Sequence, residues 1–423
     1  MRIAVIGGGI AGNVAAYHLC KEHEVTLFEA ADRLGGHTHT HDIEWAGHHY
    51  AVDTGFIVFN DRTYPHFLQL LGELGVAFEP TEMSFSVRDD RADLEYNGHS
   101  LNTLFAQRRN LFRRDFLHML KEILRFNREA PRSLEDGSAD LPLGDYLHQQ
   151  RYSKHFIDRY ILPMGAAIWS TDQLQMQQFP ARFFIRFFVN HGLLSLNDRP
   201  QWYVIRGGSR EYLAPMSAPY ASGIRLNTPV QSIARLAHGV RVVSRAHGSE
   251  VFDAVFIATH SDQALAMLSD PTRAEREVLG RLRYQRNEAI LHTDTSVMPR
   301  RHLAWASWNY RLDGRRDKVT LTYDMNRLQN LDAPARFLVT LNDEEVVDPA
   351  TILKRMVYSH PVYTEESVAA QERRKEISGI DRTFYCGAYW RNGFHEDGVV
   401  SALQALEEFA EVNSAQFALS RAS

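Results

Sequence analysis

The sequence predicts an α/β fold in which a Rossmann-like nucleotide-binding domain is interleaved with an α+β domain built on an antiparallel sheet plus helices. The first observation is an apolar run, Arg2–Ile6, that leads into a glycine-rich turn and a helical segment. The second is that similar segments occur far along the chain: an apolar run at Asp253–Thr259 and a helical segment that begins at Gly398. The third is a group of strand-like runs between residues 288 and 341, which is typical of an antiparallel sheet.

Three glycines follow the first predicted strand at the spacing G-x-G-x-x-G. Gly7 permits a tight turn, Gly9 lets the backbone approach a pyrophosphate, and Gly12 lets the helix pack close to the strand. The helix N-terminus then faces the phosphates. Glu29, at the end of the second strand, is placed to accept both hydroxyls of an adenosine ribose, and it would repel a 2′-phosphate. The sequence therefore predicts a site for FAD or NAD rather than NADP.

The next segment distinguishes between these dinucleotides. Residues 30–38 read AADRLGGHT and resemble the D-R-x-G-G-R-x-x-T motif of the flavin amine oxidase superfamily. The resemblance implies an FAD cofactor, with Arg33 at its pyrophosphate and the backbone of Gly35 and Gly36 close by. His37 stands where many members have arginine. The later segments VDTGFIVFN and GFHEDG resemble more closely a bacterial subgroup that is associated with conjugated, methyl-branched and furan-containing fatty acids.

The resemblance also implies that distant parts of the chain complete the FAD site. Val230, at the end of a strand, is expected at the adenine, and Ala258 near the pyrophosphate. A helix starting at Gly398 is expected to point its N-terminus at the flavin pyrimidine. No cysteine pattern indicates covalent flavin, so we expect noncovalent FAD. The expected cofactor-binding residues are Gly7, Gly9, Ile10, Ala11, Gly12, Glu29, Ala30, Arg33, Gly35, Gly36, His37, Thr38, Asp53, Thr54, Gly55, Phe56, Val230, Ala258, Gly387, Asp397, Gly398 and Val399.

These assignments divide the chain between two domains, each of them discontinuous. Residues 1–60, 203–285 and 380–423 are expected to bind FAD. Residues 61–202 and 286–379 are expected to bind the substrate.

The substrate domain is expected to contain an antiparallel sheet with one face on the substrate cavity. The predicted strands are residues 288–294, 304–312, 318–325 and 336–341, and residues 349–358 are predicted to form a helix.

A second prediction concerns aromatic residues, which can line an apolar tunnel or simply pack in the core. The expected substrate contacts are Trp169, Phe184, Phe188 and Trp308. The catalytic candidates are His395, Glu396 and Tyr310.

The predicted function is FAD-dependent oxidation of a lipid, in the form of allylic dehydrogenation of a fatty acyl chain by hydride transfer to flavin. Three alternatives stay open: redox-neutral isomerisation of a fatty acid double bond, amine oxidation, and a flavoprotein scaffold bound to a lipid methyltransferase. The expected partners are a lipid or fatty acyl substrate and, in the last case, that methyltransferase.

The overall composition excludes some functions. A net charge of −5 over 423 residues gives no bulk case for nucleic acid binding. The two cysteines make neither a disulfide framework nor a metal site, and no metal is expected at the alternating His37, His39 and His41. No uninterrupted apolar run is long enough to span a membrane. Because the first strand begins at residue 2, we expect no signal peptide and a cytoplasmic location.

One segment suggests contact with a membrane surface. Residues 107–128 are predicted to form a helix with an apolar stripe and seven basic but only two acidic residues. Such a helix can lie on anionic lipid headgroups, which would place the protein on the inner face of the membrane. The alternative is a solvated basic face over an ordinary core stripe.

Overall fold

The computed structural model describes residues 1–195, 197–314 and 320–422, with the side chains of the last helix described as far as residue 414. It confirms the mixed α/β class, with a parallel sheet, a large antiparallel sheet and helices. The strands are β1 (Arg2–Ile6), β2 (Glu24–Phe28), β3 (Thr40–Trp45), β4 (His48–Asp53), β5 (Val58–Asn60), β6 (Phe78–Thr81), β7 (Phe85–Asp89), β8 (Leu94–Asn97), β9 (Trp202–Ile205), β10 (Ile224–Arg225), β11 (Val230–Leu236), β12 (Gly239–Ser244), β13 (Gly248–Phe252), β14 (Ala254–Ile257), β15 (Tyr284–His292), β16 (Trp308–Leu312), β17 (Thr320–Asp324), β18 (Leu338–Leu341), β19 (Ile352–Pro361) and β20 (Thr383–Tyr385).

The helices lie on the parallel sheet and form a layer beside the antiparallel one. They are α1 (Ile10–Leu19), α2 (Pro65–Leu74), α3 (Leu101–Leu104), α4 (Arg114–Glu129), α5 (Leu143–Gln149), α6 (Lys154–Phe156), α7 (Leu162–Trp169), α8 (Gln173–Gln177), α9 (Ala181–Asn190), α10 (Leu213–Ser217), α11 (Ser261–Met267), α12 (Arg273–Leu279), α13 (Met325–Leu328), α14 (Glu365–Glu372) and α15 (His395–Ala422).

The parallel sheet has the strand order β10-β2-β1-β14-β20 and draws its strands from widely separated parts of the chain. β1 is buried on both faces except at its first residue, as expected for a strand covered on both sides. Helices α1 and α15 cover one face, and their apolar residues form one core with that face. All five strands run parallel, so the turns that leave their carboxyl ends gather at one edge.

The antiparallel sheet has seven strands in the order β19-β15-β18-β17-β16-β7-β8. Its neighbours are antiparallel except for β16 and β7, which run parallel. The largest apolar core lies between this sheet and the helices from α4 to α9. A small sheet, β11-β12-β13, flanks the parallel sheet.

The structure corrects the predicted helix at 349–358. After a single turn at Pro349–Thr351, the chain forms strand β19. β19 pairs along the whole of β15, from Tyr284 opposite Pro361 to His292 opposite Ile352. This long partner strand overrides the local helical spacing.

Other predicted boundaries shift. The strand predicted at 304–312 begins only at Trp308, because residues 302–304 form a helical turn. Of the strand predicted at 318–325, residues 318 and 319 lie outside the described residues and the rest ends at Asp324. The predicted strand that ended at Val230 is two strands, β10 and β11, and Val230 begins the second. The helix predicted at 107–128 is a 3-10 turn, Arg108–Phe112, followed by α4.

Candidate active site

The glycine turn after β1 leaves room and hydrogen-bond donors for a phosphate group. Gly7 has φ +103°, a left-handed conformation that favours glycine. A side chain at Gly9 would meet no atom within 4 Å, so there is open space above this residue. Gly9 caps α1 without a side-chain bond, so the first-turn amides of Ile10, Ala11 and Gly12 have no partner within the helix. Such a helix start binds anions.

Asn13 organises this turn, and the sequence analysis missed it. Its Nδ2 donates to the carbonyl oxygens of Gly8 at 2.6 Å and Gly9 at 2.9 Å. Its Oδ1 accepts from the hydroxyl of Tyr220 at 2.7 Å. Asn13 is fully buried and therefore holds the glycine turn against α1. A single asparagine in a helix gives no sequence signal for such a role.

Glu29 lies where the ribose is expected. Its Oε2 accepts from the Gly8 amide at 2.6 Å, and its Oε1 accepts from the Ala31 amide at 2.8 Å. Each carboxylate oxygen keeps a further lone pair. The residue is thus fixed beside the glycine turn and can still accept hydroxyl groups. Ala30 follows it at the carboxyl end of β2.

Arg33 braces the loop that follows. Its guanidinium donates to the carbonyl oxygens of Gly36 at 2.8 Å and Thr38 at 2.8 Å. Gly35 and Gly36 both have positive φ, which turns these carbonyls towards the guanidinium. These bonds fix the Arg33 side chain to its own loop, and its predicted contact with a pyrophosphate stays a prediction. The Thr38 hydroxyl lies 2.5 Å from the hydroxyl of Tyr212.

The segment after β4 is anchored by Asp53. Its carboxylate accepts from the amide and hydroxyl of Ser209, from the hydroxyl of Thr40 and from Nε2 of Gln329. Burial raises the pKa of Asp53 to about 6. All these donors are protein groups, so Asp53 positions the chain rather than presenting a free carboxylate. The Thr54 hydroxyl lies 2.7 Å from the hydroxyl of Tyr358.

Gly55 and Phe56 bring this segment against the loop that carries His37. A Cβ at Gly55 would overlap the carbonyl of His37, so only glycine fits. The Phe56 amide donates to that carbonyl at 2.7 Å. Two segments that contain predicted cofactor-binding residues are thus in direct contact.

Helix α15 begins three residues before the predicted Gly398. The Gly398 amide donates to the Phe394 carbonyl at 3.2 Å, so it is not free. The unpaired first-turn amides are those of His395, Glu396 and Asp397. Asp397 accepts from the Phe394 amide at 2.9 Å and caps the helix, while burial raises its pKa to about 6. A side chain on Gly398 would lie 2.6 Å from Cγ2 of Ile10, so this glycine lets α15 pack on α1.

The three catalytic candidates have separate structural partners. Nε2 of His395 lies 2.9 Å from the Tyr212 hydroxyl, and burial lowers the pKa of His395 to about 3. Glu396 accepts from the amides of His66 and Phe67, at the start of α2. Tyr310 accepts from Nε2 of Gln173 at 3.2 Å and belongs to the large core. The structure therefore does not bring the three together as one reactive group.

Ala258 and Gly387, two further predicted cofactor contacts, follow the carboxyl ends of β14 and β20 at the same edge of the sheet, whereas Val230 begins β11 in the small flanking sheet. The Ala258 amide donates to the carbonyl of Ile6 at 2.8 Å and continues β14 towards the glycine turn. The Gly387 amide donates to the Ser401 hydroxyl at 2.8 Å, which joins the end of β20 to α15. Val399 is buried in the core shared with α1.

Three partly buried histidines, His37, His260 and His360, meet beside this edge. The ring of His37 lies 5.3 Å from that of His360 and 6.0 Å from that of His260, measured between centroids. Burial lowers the pKa of His37 and His260 to about 4 and that of His360 to about 3. All three are neutral at physiological pH. Nε2 of His37 is buried without a hydrogen-bond partner.

A cleft adjoins the loop before α15. Its volume is about 120 Å³, and its walls are formed by Trp169, Phe179, Gln285, Tyr363 and their neighbours. Nε1 of Trp169 donates to the carbonyl of Asn392 at 3.3 Å, which fixes the wall to that loop. The Tyr363 hydroxyl is buried without a partner.

The predicted substrate residues separate into two groups. Trp169 lines the cleft, and its contact with a substrate stays a prediction. Phe184 and Phe188 are fully buried and stack on each other with centroids 4.2 Å apart, so they support the wall from behind. Trp308 packs on Tyr323 with ring centroids 5.2 Å apart, and its Nε1 is buried without a partner.

In the part of the chain that the structure describes, no three His, Cys, Asp or Glu side chains are arranged so that they could hold a metal ion. The rings of His39 and His41 lie 4.0 Å apart between centroids at a tilt of 42°, whereas His37 turns towards His260 and His360. Within the same described ranges, no helix combines the length and the apolar character needed to cross a bilayer.

Comparison with known proteins decides the family. Residues 10–324 match the family of flavin containing amine oxidoreductases. The chain belongs to this family. Membership of this family makes its cofactor a flavin, FAD. The residues fit this cofactor, because the open space at Gly9, the first-turn amides of α1, the Glu29 carboxylate and the unpartnered Nε2 of His37 lie along one edge of the sheet.

Individual relatives are distant. The L-amino-acid oxidase of Mus musculus is 26% identical over 67% of this chain and 46% of its own length, so the chain spans about half of that relative. The CLA-producing fatty acid isomerase from P. acnes has a TM-score of 0.69 at 15% identity, over 96% of this chain and 98% of that one. Cyclohexylamine oxidase from Brevibacterium oxydans has a TM-score of 0.67 at 15% identity, over 98% and 99%. At these identities the structural likeness concerns the fold.

The first prediction concerns Glu29. We expect Glu29→Ala to weaken FAD binding by about 1.5–3 kcal/mol, the scale of lost hydrogen bonds to a charged group. The measurement is the FAD dissociation constant, by titration of flavin fluorescence. Glu24→Ala, at the exposed start of the same strand, is the matched control and should bind FAD normally. An unchanged dissociation constant in Glu29→Ala would show that the ribose lies elsewhere.

The second prediction concerns pH. His260 takes up a proton near its ordinary pKa of 6.5 when unfolded, but only near pH 4 when folded. Its contribution to stability is therefore complete above pH 6.5 and is lost as the pH falls towards 4. Asparagine is suited to capping α11, so His260→Asn keeps the helix start. The variant should reduce the slope with which the free energy of unfolding falls at acid pH, by up to about 1.4 kcal/mol per pH unit.

The measurement is the apparent melting temperature of the flavoprotein between pH 7.5 and 5. His48→Asn, at an exposed position, serves as control and should leave the pH profile unchanged. A profile in His260→Asn that matches the unmodified protein would refute the assignment of a partly buried neutral imidazole.

Proposed function

We propose that the protein oxidises a lipid, by allylic dehydrogenation of a fatty acyl chain to a conjugated diene. Two hydrogens leave the carbons beside an existing double bond, one as hydride and one as a proton. FAD, when bound, supplies the hydride acceptor. The residues of this chain then have to hold an apolar substrate, exclude water and accept a proton.

The observation that carries the proposal is the chemistry of the cleft wall. Its described lining residues are aromatic, aliphatic, amide or hydroxyl side chains, and none of them carries a charge at neutral pH. An ammonium group would enter this wall without a counter-ion, which is costly in a poorly hydrated site. An acyl chain requires no counter-ion and gains from apolar burial.

The wall is also stiff. Trp169 packs against Phe179 at 4.5 Å and Phe187 at 4.8 Å between ring centroids, and Phe183 stacks on Tyr363 at 4.9 Å. Aromatic side chains supply apolar area with few rotatable bonds. A wall of this kind can hold a flexible chain in one conformation next to the loop before α15.

The partly buried histidines offer a proton acceptor beside the cleft. Strand β19 carries His360 into the histidine cluster, and the next residues, Pro361 to Tyr363, form part of the cleft wall. Nε2 of His37 has no hydrogen-bond partner and can therefore accept a proton, although burial, which lowers the pKa of His37 to about 4, makes it a weak base. We assign proton uptake to the pair His37 and His360.

Redox-neutral isomerisation of a double bond is the second candidate. The fatty acid isomerase that shares this fold is a precedent for an acyl chain in such an architecture. The same neutral cleft would serve it. Oxidation of amines is disfavoured by the uncharged wall, and the methyltransferase partner stays a prediction.

The third prediction concerns the reaction. Anaerobic mixing of the flavoprotein with an unsaturated free fatty acid in detergent should bleach the flavin and produce the ultraviolet absorbance of a conjugated diene. Amines should cause no bleaching. Diene formation without flavin reduction would favour the isomerase, and bleaching by amines alone would contradict the proposal.

A variant of the cleft makes this test specific. Gln285→Glu places a charge in the wall and should lower the rate of bleaching by the fatty acid about tenfold or more, with FAD retained. Gln263→Glu changes the charge equally at an exposed position of α11 and should bleach as the unmodified protein does. Equal rates in the two variants would show that the acyl chain does not occupy this cleft.

A further inference from the structure

Large apolar side chains project from one surface between β8 and α4. Leu101 is 78% exposed, Leu111 is 46% exposed and Phe112 is 86% exposed. Arg108 joins the two parts of this surface, because its guanidinium donates to the Asn102 and Phe105 carbonyls. Clustered exposed apolar residues of this size mark interaction sites more often than isolated ones do.

A break in the backbone produces this exposure. The 3-10 turn ends at Phe112, Arg113 is extended with φ −84° and ψ 108°, and α4 starts at the next residue. Phe116 and Met119 of α4 are buried in the core. The spacing puts Phe112 on the apolar stripe predicted for residues 107–128, but the break turns its side chain away from Phe116 and Met119 to the outside.

Basic residues surround these apolar side chains. Arg114 and Lys121 are both exposed, lie seven residues apart on one face of α4, and form no ion pair among the described residues. Leu124, 52% exposed, extends this face by one turn. Glu122, the acidic residue nearest in sequence to Leu124, is buried, and its carboxylate accepts hydrogen bonds from the amide and the hydroxyl of Ser153.

We propose that this surface docks on a membrane that contains anionic lipid. We call it the docking surface and define it by Leu101, Arg108, Leu111, Phe112, Arg114, Lys121 and Leu124. The apolar members enter the boundary between headgroups and acyl chains, and the basic members contact the headgroups. Residues 107–128 are basic although the whole chain has a net charge of −5. This local positive charge favours anionic lipid headgroups as the partner.

The docking surface is connected to the cleft through the fold. α4 packs on α6, where Phe126 faces Phe156 at 5.6 Å between ring centroids. α6 continues through residues 157–161 into α7, whose last residue is Trp169 of the cleft wall. A continuous series of packed helices therefore joins the docking surface to the cleft wall. The significance of this link rests on the proposed function, whereas the docking surface itself does not.

The test is co-sedimentation of the FAD-loaded protein with vesicles of phosphatidylcholine alone or mixed with phosphatidylglycerol. We expect sedimentation only with the mixed vesicles, and release as the salt concentration rises. The double variant Arg114→Glu, Lys121→Glu should bind about tenfold or more weakly, since each basic residue contributes separately to the attraction. Phe112→Ser should also weaken binding, without a change in the flavin spectrum.

Two control variants match these changes. Arg241→Glu, Arg245→Glu alters the net charge equally at exposed positions of the β12–β13 hairpin, and Val251→Ser removes an exposed apolar side chain there. Both should sediment as the unmodified protein does. Lack of sedimentation by the unmodified protein at low salt, or equal loss in the control variants, would overturn the proposal.

A protein partner gives a different result. If the unmodified protein self-associates without lipid and Phe112→Ser is monomeric in analytical ultracentrifugation, the docking surface is an interface between copies and the proposal fails. The bleaching assay uses free fatty acid in detergent and needs no vesicle. A failure of docking is therefore distinguishable from a failure of the proposed reaction.

Discussion

The close approach of α1 to the turn after β1 is the constraint on which the rest of the site depends. A side chain on Gly12 would overlap the Gly7 carbonyl, so the helix can lie this near only because residue 12 is glycine. The approach sets the first-turn amides of α1 over the open space at Gly9. It also provides the surface on which α15 packs through Gly398 and Ile10. In this way one contact between helix and strand positions both ends of the cofactor site.

Burial has a second, electrostatic consequence. The interior next to the cleft contains several histidines whose pKa values are lowered because water is excluded, so the site is neutral although it is rich in titratable groups. Neutrality suits an apolar substrate and leaves imidazoles able to accept a proton. His37 is central to this arrangement. It stands where many relatives have arginine, and a permanent positive charge beside His260 and His360 would change the character of the site.

Much of the fold follows from local pattern, and much of the site does not. The strand, glycine turn, helix and Glu29 could be predicted because each is local and has one physical explanation. The catalytic candidates could not, because Glu396 is occupied by the start of α2, which lies more than three hundred residues earlier. The same holds for His260 and His360, which meet His37 only through packing of β14 and β19. Strand β19 was predicted as a helix because local periodicity gives no information about its nine-residue partner strand β15.

The central claim is that the neutral cleft beside the loop before α15 holds an acyl chain. Photo-crosslinking tests it most directly, with an unsaturated fatty acid that carries a diazirine near the middle of its chain, followed by peptide mass spectrometry of the flavoprotein. The account predicts labelling of the cleft wall, in the peptides that contain Trp169 and Tyr363, and loss of this labelling with excess unlabelled fatty acid. Labelling confined to other surfaces, or displaced by an amine but not by fatty acid, would contradict it.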